Sequence, residues 1–194
     1  YLNHPECVAI IGSNGKEKRL TTAIFSQLPL FTETQINKSD IKILGLINNQ
    51  RVYKYIHESY LDKHDNLDYY KVILPKANGS GAIGEVLSTP LVGEPLVGYT
   101  QSFISFGKFT TRVEAESCMK YIKSKFTRAL LGTLKITQDN NRETWNNVPI
   151  QDFTSNSDID WSQSIENIDK QLYKKYNLSQ DEIDFIESKV RAMD

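Results

Sequence analysis

Cysteine is nearly missing from this chain: Cys7 and Cys118 are the only two among 194 residues. One disulfide is open to them, but a disulfide framework is excluded. Long hydrophobic runs are also missing, and with them any segment that would cross a bilayer as a helix. The three histidines, His4, His57 and His64, have no metal-ligand spacing and no cysteine pair beside them, so no zinc site is legible. No phosphate-binding G-x-x-x-x-G-K-[ST] loop, G-x-S-x-G elbow or H-E-x-x-H helix occurs, and nothing assembles a nucleophile, a base and an oxyanion donor. Internal repeats and low-complexity tracts are absent too. There is no recognisable signal peptide, and the chain opens without Met on YLNHPECVAI. It reads as a domain cut from a longer polypeptide, with its missing chemistry upstream, and as cytoplasmic.

What is present is an ordinary globular composition, 39% hydrophobic and 24% charged, with charge unevenly spread. Net charge is −1. Residues 151–194 carry ten acids and five bases, leaving fourteen acids and eighteen bases in residues 1–150. Such a split describes either solvated surface or a basic binding body with an acidic helical appendage. We take residues 1–150 as an α+β body and 151–194 as a C-terminal helical hairpin.

The basic charge concentrates in KFTTRVEAESCMKYIKSKFTRALLGTLK (108–135), with seven Lys or Arg against Glu114 and Glu116. Thr111 and Glu114 form a T-x-x-E capping box. Apolar positions 115, 118, 119, 122, 126, 129 and 130 follow helical spacing, so the sequence predicts one long amphipathic helix starting at Thr111. Lys120, Lys123 and Arg128 fall on its polar side and Cys118 on its apolar side, as a buried reduced thiol. An oily face opposite a cationic face makes nucleic acid the first partner to consider, although an ordinary wet face has the same pattern.

Upstream, ECVAII (6–11), IKILGLINNQRVYKYI (41–56), YYKVILP (69–75) and TQSFISFG (100–107) are strand candidates, and Asn48-Asn49 marks a hairpin turn. Tyr69, Tyr70, Phe103 and Phe106 on these strands suit either base stacking or a core. Residues 138–160 read as loop and linker anchored by Trp145, Val148 and Phe153. A helix follows from about Ser157 to Tyr176, with Asn177 suited to its C-terminal cap. A second capping box, Ser179 with Glu182, opens the last helix.

Three motifs hint at chemistry. Gly79 to Gly84 matches G-x-G-x-x-G literally, but Pro90 and Pro95 break the helix that a dinucleotide site requires. A tight loop, or one whose amides approach a phosphate backbone together with Lys76, Asn78 and Ser80, fits the context better. Glu187-Ser188-Lys189 is an E-x-K tripeptide of the nuclease kind, but it lies on a terminal helix without an upstream Pro-Asp. Asp40-Ile41-Lys42 is a weaker match.

Four blocks in order carry a resemblance. They are YYKVILPKANGSGAIGE (69–85), PLVGEPLVGYTQSFISFGKF (90–109), VEAESCMKYIKSKFTRALLGTLKITQ (113–138) and WNNVPIQDFTSNSDIDWSQSIENIDKQLYKKYNLSQDEIDFIE (145–187). Together they resemble the C-terminal region of Eco57I-like adenine-specific restriction–modification DNA methyltransferases. Residues 1–68 match only loosely, as variable target-reading sequence would. The resemblance implies a DNA target-recognition domain without catalysis of its own. It also implies that S-adenosylmethionine and the catalytic methyltransferase domain lie upstream in the same chain. A recognition domain grips duplex DNA while the target adenine is extruded.

The expected fold is therefore α+β: a mixed, largely antiparallel sheet from residues 1–107, packed by the long basic helix, with the hairpin alongside. The expected DNA contacts are Lys71, Lys76, Asn78, Ser80, Lys108, Thr111, Arg112, Lys123 and Arg128, with loops 13–19 and 62–66 able to add specificity. No catalytic residue, metal or membrane contact is expected. The competing readings are a protein–protein docking or structural module of the same enzyme, or an enzyme built on Asp40, Lys42 and Glu187 or on Gly79 to Gly84.

Overall fold

The computed structural model describes residues 4–7, 20–77, 87, 89–134 and 142–193. It has the α+β fold expected from the sequence, including the C-terminal helical pair. Helix α1 (Ile24–Gln27) precedes strands β1 (Asp40–Ile47), β2 (Gln50–His57) and β3 (Tyr70–Pro75), then β4 (Leu91–Gly93), β5 (Val97–Tyr99) and β6 (Phe103–Phe109). Helices α2 (Arg112–Lys123), α3 (Lys125–Leu134), α4 (Arg142–Trp145), α5 (Ile165–Lys175) and α6 (Gln180–Lys189) complete the chain.

The strands form two sheets instead of the single sheet expected. In the first, β1 lies between antiparallel β2 and parallel β5; in the second, β3 lies between antiparallel β4 and β6. The β1–β2 hairpin turns where the sequence places it: Asn48 and Asn49 both take positive φ, 50° and 61°. Asparagine tolerates that region, and the resulting turn matches the strand twist. Between β3 and β6 the register slips, so that Lys71 alone faces Gly107 and Lys108. Gly107 supplies the φ of 82° that this bulge needs.

The packing is layered. Ile41 and Ile43 of β1 bury against Ile24, Phe25, Leu28 and Phe31. Leu44 and Val97 meet Ile73 and Phe103 between the two sheets. Val72 and Leu74, on the opposite face of β3, meet Cys118 and Ile122 of α2. Tyr121, Phe126 and Ala129 of α2 and α3 share one core with Ile168, Leu172 and Ile186 of the hairpin. Trp145, Val148 and Phe153 pack against these cores as anchors. Cys118 is a buried free thiol, raised far above its ordinary pKa by burial.

The basic helix is not continuous. Its capping box forms, with the Thr111 hydroxyl accepting from the Glu114 amide and Glu114 reaching back. At Ser124, however, the backbone turns extended, with φ −57° and ψ 149°, and α3 starts afresh. Three of α3's first amides find acceptors across this break. Thr127 N donates to Ser124 Oγ at 3.1 Å, Lys125 N to Asp169 Oδ2 at 3.0 Å and Phe126 N to Asp169 Oδ1 at 2.9 Å. Orphan helix donors need such partners, and Asp169 brings them from α5.

In the hairpin, Ser164 caps α5, several residues later than the sequence start suggested. Asn177 takes φ 52°. Its amide donates to Lys174 O at 3.2 Å, and Leu178 N donates to Tyr173 O at 3.0 Å. That pair of bonds is a Schellman closure. Ser179 and Glu182 then form the second predicted capping box.

Candidate nucleic-acid interface

The nine predicted contact residues do not form one surface. Lys71 is fully buried on β3, which contradicts its reading as a DNA contact. Both faces of β3 are covered, so the side chain opposite Val72 turns inward instead of toward solvent. Its Nζ donates to four carbonyls: Asn66 at 3.1 Å, Leu67 at 3.2 Å, Tyr69 at 3.0 Å and Glu94 at 3.1 Å. Gly93 lies close over β3: a Cβ there would stand 2.6 Å from Ile73 Cδ1 and 3.2 Å from Lys71 Cγ. Burial pulls the Lys71 ammonium down to about 8, against the opposing charges of Asp68 and Glu94. This lysine ties the loop after β2 to the β4–β5 turn.

Arg128 is corrected as well. It is 2% exposed, because the break at Ser124 re-aims α3 relative to the single helix projected from the sequence. Its Nε donates to Lys123 O at 3.0 Å and its Nη2 to Arg191 O. Among the described residues, Nη1 is buried and has no partner. Lys120, read as part of a wet face, instead hooks the segment before α5, donating to Trp161 O at 2.7 Å and Gln163 O at 2.9 Å.

The remaining described candidates are at or near the surface. Arg112 is exposed but pairs with Glu94 and, at 2.8 Å, with Glu116, which raises its already high pKa. The Thr111 hydroxyl is engaged in the helix cap. Lys108 is exposed, 5.1 Å above the Tyr69 ring, and Lys76 is exposed at the end of β3. Lys123 is half-buried at the end of α2. Asn78 and Ser80, with the Gly79 to Gly84 stretch and the 13–19 loop, lie outside the described residues. Of the strand aromatics, Phe103 is core, and Phe106 packs on Trp145 with ring centroids 4.3 Å apart.

The two acidic motifs serve structure. Asp40 accepts the amides of Ile36 at 2.8 Å and Asn37 at 2.7 Å, and these bonds hold its carboxyl below the ordinary range. Glu187 pairs with Lys125 and accepts from Tyr173 Oη at 2.9 Å. Burial pushes Glu187 upward, but those partners outweigh it and leave its pKa lowered. Among the described residues, no three metal-ligating side chains cluster, and no helix is long and apolar enough to cross a membrane.

Cationic side chains do converge elsewhere. A cleft of about 1190 Å³ runs between the α2–α3 junction, α5 and the segment after α6. Lys120, Lys123, Lys125, Arg128, Lys170 and Lys174 line it, against the acids Glu166, Asp169 and Glu187. Two of those acids are paired: Glu166 with Lys170 at 2.7 Å and Glu187 with Lys125. Asp169 is occupied by the α3 amides. Burial lifts the Asp169 carboxyl to about 6, opposed by the Phe126 and Lys125 amides and by the Arg128 charge. Burial in turn depresses the Arg128 pKa, which Asp169 partly restores. The turn before α5 (162–164) and the first residues of α5 line the same cleft, adding the positive end of a helix dipole.

Sequence reasoning singled out Lys123 and Arg128 as contacts on one helix face, but not the cleft they line, nor Asp169, Lys174 and the α5 N-terminus. The available signal was Ser124, a capping residue type in the middle of an apolar-periodic run. No family model, curated protein or solved structure matches this chain.

Proposed function

We propose that this chain is a DNA target-recognition module of a bacterial adenine-specific restriction–modification methyltransferase, binding duplex DNA without catalysis of its own. S-adenosylmethionine and the reacting adenine belong, in this reading, to an upstream catalytic domain of the same polypeptide. The order of the four sequence blocks supports the assignment. The structural observation that supports DNA binding is the cleft: six cationic side chains and three acids line it, Lys125 and Lys170 being paired with Glu187 and Glu166, which leaves a surplus of three positive charges (six minus three). A surface of that sign attracts a polyanion and releases its counterions on contact. The contact set is Lys123 and Lys174 in the cleft, with Lys76 and Lys108 as outlying phosphate contacts. Lys71, Arg112 and Lys120 are engaged within the fold. Phosphate contacts of this kind set register and leave base reading to loops.

A docking module is the rival reading, and its natural surface was the hairpin. That apolar face is occupied: Ile168, Leu172 and Ile186 are buried against Tyr121 and Phe126. What remains for docking is scattered, such as Ile150, 94% exposed.

Fluorescence anisotropy with a random-sequence duplex separates the two. The DNA reading expects micromolar binding at low salt that collapses at physiological salt. Binding that is absent at low salt, or insensitive to added salt, would remove it.

A further inference from the structure

Tyr60, away from the cleft and unused by the DNA reading, ends a hydrogen-bonded relay. Its hydroxyl lies 2.9 Å from His4 Nε2, and His4 Nδ1 lies 3.1 Å from Glu6 Oε1. The proton positions follow from the acid. A hydrogen bond from its own amide, and then His4, hold the Glu6 carboxyl below its ordinary range, so at neutral pH it is ionised and can only accept. Nδ1 therefore carries the hydrogen, Nε2 keeps a lone pair, and the Tyr60 hydroxyl donates to it. Nucleophile, base and orienting acid in that order are the arrangement that activates a hydroxyl.

The local structure holds Tyr60 in place. It closes a single 3-10 turn, Glu58–Tyr60, capped by His57. His57 Nδ1 accepts the Ser59 amide at 3.3 Å, and its Nε2 faces Ser39 Oγ at 2.9 Å. The His57 lone pair is committed to the cap, which leaves His4 as the imidazole able to take a proton. The Tyr60 ring stands edge-on to both imidazoles, with centroids 5.6 Å and 6.4 Å away. Tyr60 is still 41% exposed, and its bond to His4 lies at the surface. Among the described residues, no lysine or arginine pairs with His4, Glu6, His57 or Tyr60. The charge in the relay is the Glu6 carboxylate, which repels a phosphate ester. A neutral acyl donor, an activated ester or thioester, suits the site.

We propose that Tyr60 is a nucleophilic acyl acceptor, with His4 as its general base and Glu6 as the residue that positions His4. Tyr60 Oη bonds to the carbonyl carbon of the donor as the bond from that carbon to the leaving alkoxide or thiolate breaks. The leaving group takes the electron pair, the hydroxyl proton passes to His4 Nε2, and the product is an aryl ester on Tyr60. This role is independent of the DNA reading and needs no turnover, one acyl group being accepted per chain.

The test exposes the whole chain to limiting p-nitrophenyl acetate and locates the acetyl groups by peptide mass spectrometry. Tyr53 is the internal reference: it is 38% exposed, and its ring has Lys42 Nζ, 4.4 Å from the centroid, for a neighbour. Tyr60 should be acetylated about a hundredfold faster than Tyr53, the lower end of what a positioned base contributes. Burial raises the Tyr53 pKa and slows it as well, so His4→Gln is the deciding comparison. Glutamine keeps an acceptor for the hydroxyl but cannot take its proton, and Tyr60 should slow by about a hundredfold while Tyr53 does not change. Glu6→Ala should slow Tyr60 by about tenfold, as loss of a charged hydrogen bond does. Glu6→Gln, whose amide oxygen still accepts from Nδ1–H, should recover most of that, a rescue that a merely structural role does not give. Glu6 is exposed, so this pair keeps the proposal testable if His4→Gln does not fold. Equal Tyr60 rates in the parent chain and in His4→Gln overturn the proposal. So does acetyl on His4 or on lysines with Tyr60 unmodified.

Discussion

Two halves of the molecule each bury a cation, and they treat it differently. On the sheet side, Lys71 is enclosed by four carbonyls, one from the β4–β5 turn and three from the loop before β3. On the helical side, Arg128 meets two carbonyls and keeps a buried nitrogen without a partner. Both positions carry a basic side chain in a run otherwise rich in apolar residues, and sequence alone marks both as candidate DNA contacts. The difference is in satisfaction. An ammonium whose donors are all engaged has nothing left to offer a ligand, so Lys71 is a clasp. A guanidinium that keeps a buried donor unpaired carries a desolvation cost that the satisfied ammonium does not.

The largest expected effect tests that contrast directly. Lys71→Met takes one charged donor from each of four carbonyls, three of which keep a backbone amide (Tyr69 N on Asn66 O, Leu96 N on Leu67 O, Val97 N on Glu94 O), and should destabilise the chain by about 3 kcal/mol. It would be read as a lower urea midpoint with an unchanged slope. The same truncation at Arg128 removes an unpaired nitrogen along with two bonded ones, and should cost less than half as much. Equal losses would erase the distinction between the satisfied and the unsatisfied cation.

A smaller effect should appear with pH. The folded Asp169 carboxyl titrates near about 6, above the ~3.9 of an unfolded aspartate. The folded state therefore binds this proton more tightly. Its contribution to stability is fully present below about pH 4 and is lost as pH rises through about 6. The loss should be on the order of 2 kcal/mol for this group alone. Asp169→Asn should flatten that part of the profile, measured as the change in melting temperature between pH 4 and pH 7. An unchanged profile would mean that the α3 amides, and not burial, set the behaviour of this acid.

The smallest effect belongs to the open surface. Lys108→Ala should change stability by less than about 0.5 kcal/mol. It should lower the salt slope of duplex binding by about 0.9, the share of one phosphate contact. Salt-dependent anisotropy on both proteins checks it, and an unchanged slope would confine binding to the cleft.

Much of the local structure was legible. Asn48-Asn49 made its hairpin turn, Thr111 with Glu114 and Ser179 with Glu182 made their capping boxes, and Asn177 closed α5. Each depends on residues within a few positions of one another, and backbone preference decides such cases. The division into two sheets was not legible, because strands of similar composition carry no mark of which neighbour they choose. The candidate site was legible only in part. Lys123 lines the cleft as a basic face should, while Lys71 and Arg128 turned inward.

The break at Ser124 shows the boundary between the two kinds of information. The chain itself supplied α+β elements, their caps, and a cationic stretch along two helical segments. Apolar spacing continued through Ser124, and a serine, a capping residue type that a helix interior also accommodates, marks a place for a break without deciding it. Asp169, from a different helix, satisfies the amides that the break exposes. Only that tertiary contact makes a second helix start affordable in free energy, and the new start carries Arg128 into the interior. Which lysine becomes a clasp and which arginine keeps a vacant donor follows from what packs over them, because burial and hydrogen-bond satisfaction belong to the assembled fold and not to any window of sequence.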